Sequence, residues 1–246
     1  MTNAGSGAGA KAPGRLSKAL IGLFMKRATV VAIDDVADRF RLVTLEGAAL
    51  RGVAWIPGQK VQIAIGSAFV ARTYTPIELD SAAGRARILG YGHGDGPRSA
   101  WLTGLNVGDE CDLFGPRNSL AVHQLIGPLA VFGDETSIGV AYALARQDRA
   151  RAISCYFEVG EVAGAERVGT RLDLENVTLF AQRGDDTHLA QLESVLLNLV
   201  EAGASFVLTG KAGTVQWLRQ ELKRRGVSAN RVATKAYWAP RKTGLD

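Results

Sequence analysis

The sequence predicts two domains in series, an N-terminal antiparallel β-barrel and a C-terminal α/β domain built on a parallel sheet. Three observations carry this expectation. Short apolar and β-branched runs follow one another closely from Ala28 to Phe114, separated by Gly, Pro and acidic turns, which is the spacing of a small barrel. The pattern changes near Gly127-Pro128. Beyond it, apolar strands alternate with helical periodicity, which implies parallel strands joined by right-handed crossovers. The domains are expected over 15–124 and 125–246, after a Gly/Ala/Ser-rich, disordered tail over 1–14.

The elements are justified in order. Leu16 to Met25 is apolar with flanking Lys and reads as a short amphipathic helix. Ala28–Ile33 and Phe40–Leu45 read as strands around an acidic turn containing Asp34, Asp35 and Asp38. Val53–Trp55, Lys60–Ile65, Ala68–Glu78, Ala86–Tyr91 and Glu110–Phe114 continue as strands. In the second half, Leu129–Phe132, Ala152–Val159, Val177–Gln182, Ser205–Thr209 and Val232–Trp238 read as strands. Helices are expected over Ser137–Arg146, over His188–Glu201 with Leu189, Leu192, Leu196 and Leu199 on one face, and over Thr214–Arg225 before Gly226.

Composition excludes several classes. The chain has 246 residues, 47% of them hydrophobic and 22% charged, which is ordinary for a soluble protein with ample core. No run of about 18 apolar residues suggests a membrane span, and the N-terminus lacks the apolar core of a signal peptide. The expected location is therefore the cytoplasm. Cys111 and Cys155 are the only cysteines, with no partner at metal or redox spacing. They read as buried apolar residues, and neither a metal site nor an iron–sulfur cluster is expected. The net charge of +5 collects at the two ends of the chain. A basic end attracts anions, but no nucleic-acid motif accompanies it and no nucleic-acid partner is expected.

Three motifs carry chemistry. Arg72-Thr73-Tyr74-Thr75 closes a β-rich stretch. In an extended strand Arg72 and Tyr74 share a face and Thr75 points to the other. The set suits a flavin: a guanidinium for pyrophosphate, a ring for stacking, a hydroxyl for the ring edge. Next, Tyr91-Gly92-His93-Gly94-Asp95-Gly96-Pro97-Arg98-Ser99-Ala100-Trp101 leads through glycines into a helix start. Backbone N–H groups at such a start form a phosphate cradle. Finally, Gly133-Asp134-Glu135-Thr136 lies where the first parallel strand gives way to a helix, the place such sheets bind ligands.

With Gly108-Asp109, Gly115-Pro116-Arg117 and Ala236-Tyr237-Trp238, these motifs resemble, in order and spacing, those of siderophore-interacting proteins. That family comprises FAD-dependent ferric-siderophore reductases of the ferredoxin-reductase-like superfamily. The resemblance runs from about residue 27 to 242. It implies that Arg72, Thr73, Tyr74 and Thr75, with His93, Gly94, Gly96, Arg98 and Ser99, bind FAD. It implies that Gly133, Asp134, Glu135 and Thr136 take part in binding NADH or NADPH, with Thr136 nearest the nicotinamide. Tyr237 and Trp238 would close over the flavin, and Lys235, Arg241 and Lys242 would attract the ferric siderophore. The implied reaction moves a hydride from nicotinamide to FAD and then single electrons to Fe(III). No catalytic acid or base is required of the protein.

The chain departs from the family pattern at Ala236, where the family has Gly, at Ala239, where a basic residue is usual, and at Lys211, where Glu is common. Glu158, at the end of the second α/β strand, suits a ribose 2′-hydroxyl, whereas Arg167 and Arg171 suit a 2′-phosphate, so the nucleotide preference stays open. Two other functions fit the same residues. One is a flavin reductase serving a redox partner protein such as an oxygenase; the other is a flavin- or chelate-binding module without hydride transfer.

Overall fold

A computed structural model describes residues 25–64, 71–92, 97–184 and 187–240. Nearly all of the helix expected over 16–25 lies outside them. Seven strands form one antiparallel sheet: β1 Lys26–Ala37, β2 Phe40–Glu46, β3 Lys60–Ala64, β4 Ala71–Tyr74, β5 Pro76–Asp80, β6 Arg85–Tyr91 and β7 Glu110–Arg117. Their spatial order is β4-β3-β7-β1-β2-β6-β5.

The two edge strands of that order, β4 and β5, are separated in sequence by Thr75 alone. The sheet must therefore curl until its edges meet at this residue, which closes it into a barrel. The single strand expected over 68–78 is thus two strands. Pro76 is the physical reason, because it has no N–H to continue the β4 ladder and serves as the first residue of β5. The acidic segment before Phe40 also differs from expectation. β1 runs through Asp34 and Asp35, and the hairpin turn is only Asp38-Arg39, with Arg39 at φ 65°. Arg41 pairs with Asp35 at 2.7 Å, and Arg171 pairs with Asp34 at 2.8 Å. Val53–Trp55 is irregular rather than a strand. The barrel interior is apolar, built on Val30, Val43, Leu45, Ile63, Ile88 and Leu113.

A helix, α1 Pro97–Gly104, lies between β6 and β7 in sequence. Arg41 holds its far end, donating through Nη1 to the carbonyls of Leu102 (2.5 Å), Thr103 (3.1 Å) and Leu105 (3.1 Å). A cation at the carbonyl end of a helix complements its dipole.

The second sheet is parallel, with five strands in the order β10-β9-β8-β11-β12. These are β8 Leu129–Asp134, β9 Ile153–Val159, β10 Val177–Ala181, β11 Ser205–Lys211 and β12 Val232–Trp238. Its helices are α2 Ile138–Gln147, α3 Val162–Leu172, α4 His188–Glu201 and α5 Ala212–Arg224. Helix α3 has no counterpart among the helices expected from sequence. Its apolar stripe, Val162, Ala165, Val168 and Leu172, is broken by Gly164 and Gly169 and by charged neighbours, which blurs the helical period. Glu161 caps it by accepting from the Gly164 N–H. Both cysteines are buried, and burial raises the Cys111 thiol to about 11 and the Cys155 thiol to about 12. Neither is a nucleophile near neutral pH.

One apolar core joins the two sheets. Phe40, Leu42 and Ile77 of the barrel pack with Val131, Ile138, Ala141 and Phe157 of the α/β half. Polar ties flank it: Glu78 accepts from Tyr142 and Arg87 and faces Arg146 at 3.3 Å. Ile77→Ala should lower stability by about 2–5 kcal/mol. Urea unfolding followed by far-UV signal and by tryptophan fluorescence should shift together. A shift in only one probe contradicts the shared core.

Candidate functional site

The seam between barrel and parallel sheet opens into a cleft. Its lining joins Arg72, Thr73, Tyr74 and Thr75 from the barrel to Thr136, Lys235, Ala236, Tyr237 and Trp238 from the α/β half. Lys60, Leu89, Tyr91, Ser119, Gly139 and Val140 complete it. The cleft is open: its enclosed volume is about 100 Å³, and about 870 Å³ when the solvent-filled mouth is included.

The barrel side is set by the corner at Thr75. Tyr74 rests against Trp101 of α1, with ring centroids 5.6 Å apart, so its ring is backed by the barrel core. Arg72 donates through Nη1 to the Ala71 carbonyl at 3.0 Å, while its Nε is buried without a hydrogen-bond partner. A buried guanidinium N–H without an acceptor is costly, so a cleft-lining arginine of this kind fits an anionic ligand.

The α/β side is organised by Asp134, the last residue of β8, which is fully buried. Its Oδ1 accepts from the Thr136 backbone N–H at 2.9 Å and from the Thr136 hydroxyl at 2.5 Å. Its Oδ2 accepts the indole N–H of Trp238 at 2.7 Å. Its own N–H donates to the Ser137 hydroxyl at 3.3 Å. Gly210 runs past this carboxylate with φ +95°, and a Cβ there would come within 2.5 Å of Asp134 Oδ2. Only glycine suits that place. Burial is the main influence on the carboxyl and pushes its pKa up, with the Glu158 charge adding to this and the Thr136 and Trp238 donors opposing it.

A bulge then aims the aromatic pair. β11 and β12 pair regularly to Gly210–Ala236, and the next pair is Lys211–Trp238, leaving Tyr237 as the extra residue. Successive strand residues normally face opposite sides, and a bulge re-aims them. Trp238 turns to Asp134, while the Tyr237 hydroxyl lies 3.5 Å from that of Thr75 on the barrel. Burial and the nearby Asp134 charge push the Tyr237 phenol up to about 12, so it is neutral at physiological pH. Glu135 makes a second tie across the seam, accepting from the Tyr91 hydroxyl at 3.2 Å and from the Gly160 N–H at 2.7 Å.

The structure thus brings Arg72, Thr73, Tyr74, Thr75, Thr136, Lys235, Tyr237 and Trp238 to one cleft. Gly133, Asp134 and Glu135 stand behind it as supports. His93, Gly94, Gly96, Arg241 and Lys242 lie outside the described residues, and Arg98 and Ser99 are placed only as backbone in the first turn of α1. Glu158, one of the alternatives weighed for the ribose, is buried against His188. Arg171 is engaged by Asp34 on the barrel. Sequence reasoning missed Lys60 and Ser119, since nothing in their local sequence sets them apart, and it read Tyr91 only as the start of the glycine-rich motif. Among the described residues no group of three or more His, Cys, Asp or Glu is placed to hold a metal ion. No helix among them is long and apolar enough to cross a membrane.

Trp238→Phe removes the indole donor and leaves Asp134 Oδ2 short of a partner. It should lower stability by about 1–3 kcal/mol at pH 7. The Asp134 carboxyl already stands above its ordinary range, so its stabilising contribution is present at low pH and lost as pH rises through the folded-state value. Without the indole that loss is larger. Urea unfolding should therefore show a greater penalty at pH 7 than at pH 4, and an equal penalty at both contradicts the pairing.

No family model and no curated protein matches the chain. Solved structures do. The siderophore-interacting protein SipS from Aeromonas hydrophila is 23% identical with a TM-score of 0.72, over 89% of this chain and 93% of that one. A siderophore utilization protein from T. fusca is 19% identical with a TM-score of 0.66, over 90% and 95%. Phthalate dioxygenase reductase is 16% identical with a TM-score of 0.73, over 89% of this chain and 70% of that one. The chain has the two-domain, ferredoxin-reductase-like fold that these proteins share.

Proposed function

We propose that the protein is an FAD-dependent oxidoreductase that passes electrons from NADH or NADPH to a ferric siderophore, releasing Fe(II). The observation that carries the flavin is Arg72, whose Nε is buried in the cleft without a partner. A flavin pyrophosphate is the kind of acceptor that satisfies it. When bound, FAD supplies the conversion between a two-electron donor and one-electron steps at a metal.

The chain's residues do the holding and the shielding. Arg72 would hold the phosphates, with the first-turn amides of α1 at Arg98 and Ser99, because a helix start favours negative charge. His93, Gly94 and Gly96 belong to the same segment by sequence. Tyr74, backed by Trp101, offers a flat apolar face. Thr73 and Thr75 line the same wall, and Thr75 supplies a hydroxyl at the barrel corner. Tyr237 and Trp238 close the opposite side and exclude water. Gly133, Asp134, Glu135 and Thr136 shape the sheet end where the nicotinamide enters.

The acceptor end is basic. Lys235 and Lys60 line the cleft, and Arg241 and Lys242 follow closely in sequence. Positive charge there steers an anionic ferric chelate, an effect that weakens with salt. Hard oxygen ligands hold Fe(II) less tightly than Fe(III), so reduction favours release. The placement proposed is cytoplasmic, where reduced nicotinamide is supplied.

A second reading is a flavin reductase that serves a protein partner. It is favoured by the fold similarity to phthalate dioxygenase reductase, described as a modular structure for electron transfer from pyridine nucleotides to [2Fe-2S].

Anaerobic visible spectra separate these readings. A flavin band that bleaches with NADH or NADPH and returns with a ferric siderophore supports the reductase. Bleaching without return points to a protein acceptor, and no bleaching points to a binding module or a ferredoxin donor. A protein that holds no flavin, even when FAD is added, overturns the proposal. Arg72→Ala should weaken FAD binding about 10- to 100-fold, the scale of a charged hydrogen bond of roughly 1.5–3 kcal/mol. Unchanged flavin retention contradicts the phosphate role.

A further inference from the structure

Sheets of this kind read the adenosine ribose at the carboxyl end of the second strand, where an acid accepts the 2′-hydroxyl of NADH or a nearby Arg accommodates the 2′-phosphate of NADPH. In this chain the second strand is β9, and the acid is Glu158. It is 1% exposed, and its Oε2 lies 2.8 Å from Nε2 of His188, itself 2% exposed. Its Oε1 is buried as well, and has no hydrogen-bond partner.

The hydrogen bonds assign the imidazole. The Arg183 backbone N–H donates to His188 Nδ1 at 3.2 Å. Nδ1 is therefore an acceptor, and Nε2 carries the proton that is donated to Glu158. One neutral ring thus joins the end of β9, the start of α4 and the segment just past β10. A ribose hydroxyl can reach Oε2 only by displacing the ring, which would leave buried polar groups unpaired, and Oε1 is closed off from solvent by burial.

The same ring pins the main chain of Arg183 beside this strand end, and Arg183 is exposed. The other arginines suggested by sequence are placed differently. Arg171 is engaged by Asp34 at 2.8 Å, and Arg167 stands 3.9 Å from Glu161. The carboxylate that would repel a 2′-phosphate is covered by an N–H donor.

We propose that His188 withholds Glu158 from the ribose of NADH and that Arg183 reads the 2′-phosphate of NADPH, so that the site selects the 2′-phosphorylated nucleotide. This rests on the nicotinamide-donor reading given under Proposed function.

Calorimetric titration of the purified protein with adenosine 2′,5′-bisphosphate and with 5′-AMP tests it, because the two differ only by the 2′-phosphate. The bisphosphate should bind about tenfold tighter or more, the scale of one charge-assisted hydrogen bond. Arg183→Gln, at an exposed position that leaves the fold intact, should remove that difference and leave 5′-AMP binding unchanged. His188→Ala should narrow the difference from the other side, by freeing Glu158 for the 5′-AMP ribose. Binding of 5′-AMP as tight as or tighter than the bisphosphate overturns the inference and leaves the donor reading standing. A difference that survives Arg183→Gln also overturns it. If neither fragment binds, the inference falls, and flavin bleaching by NADH or NADPH then decides whether the donor reading falls with it.

Discussion

A buried carboxylate at the end of the first parallel strand organises this molecule. Asp134 has no access to solvent, and an ion in that position costs several kcal/mol unless it is fully bonded. Its oxygens take the Thr136 amide, the Thr136 hydroxyl and the Trp238 indole. Those bonds fix three things together: the turn that starts α2, the close pass of Gly210, and the last strand of the chain. The C-terminal aromatic pair is therefore not a loose tail. It is held to the sheet by a buried carboxyl whose oxygens cannot be left unpaired, and Tyr237 consequently faces the barrel.

The barrel answers with a constraint of its own. Its edge strands meet at Thr75, so the corner that closes the barrel is also the wall of the cleft. Tyr91, one strand away, bonds Glu135 across the seam, and Ile77 enters the core shared with α2. The cleft lies where two sheets abut, so its geometry comes from packing rather than from loops. A cleft of this origin suits a flat cofactor that must be held between two walls.

Much of this was legible in the sequence, for identifiable reasons. Strand spacing and the change of period after Gly127 gave the two sheets, because side-chain periodicity follows backbone geometry directly. Helix α4 was predicted at its observed limits, because four leucines mark one face. The misses are equally physical. Pro76 inside an apparently continuous strand is a chain-breaking signal, and it marked the barrel closure that the apolar pattern concealed. Helix α3 was hidden by two glycines. The acids after Ile33 read as a turn, although they extend an exposed strand and pair with Arg41 and Arg171 from elsewhere in the chain. The motif at Gly133–Thr136 is legible in the sequence, but the hydrogen bonding of Asp134 depends on Trp238, 104 residues away. The Glu158–His188 pair was invisible for the same reason: a long-range contact has no local signature.

The central claim is that the cleft between Thr75 and Tyr237 is a flavin site. A crystal structure of the protein grown with FAD tests it most directly. The account predicts the isoalloxazine between the Tyr74–Thr75 corner and the Tyr237–Trp238 pair, with the Arg72 guanidinium on the pyrophosphate. FAD found elsewhere on the molecule, or a cleft filled by Arg72 and Tyr237 themselves at saturating FAD, would contradict it.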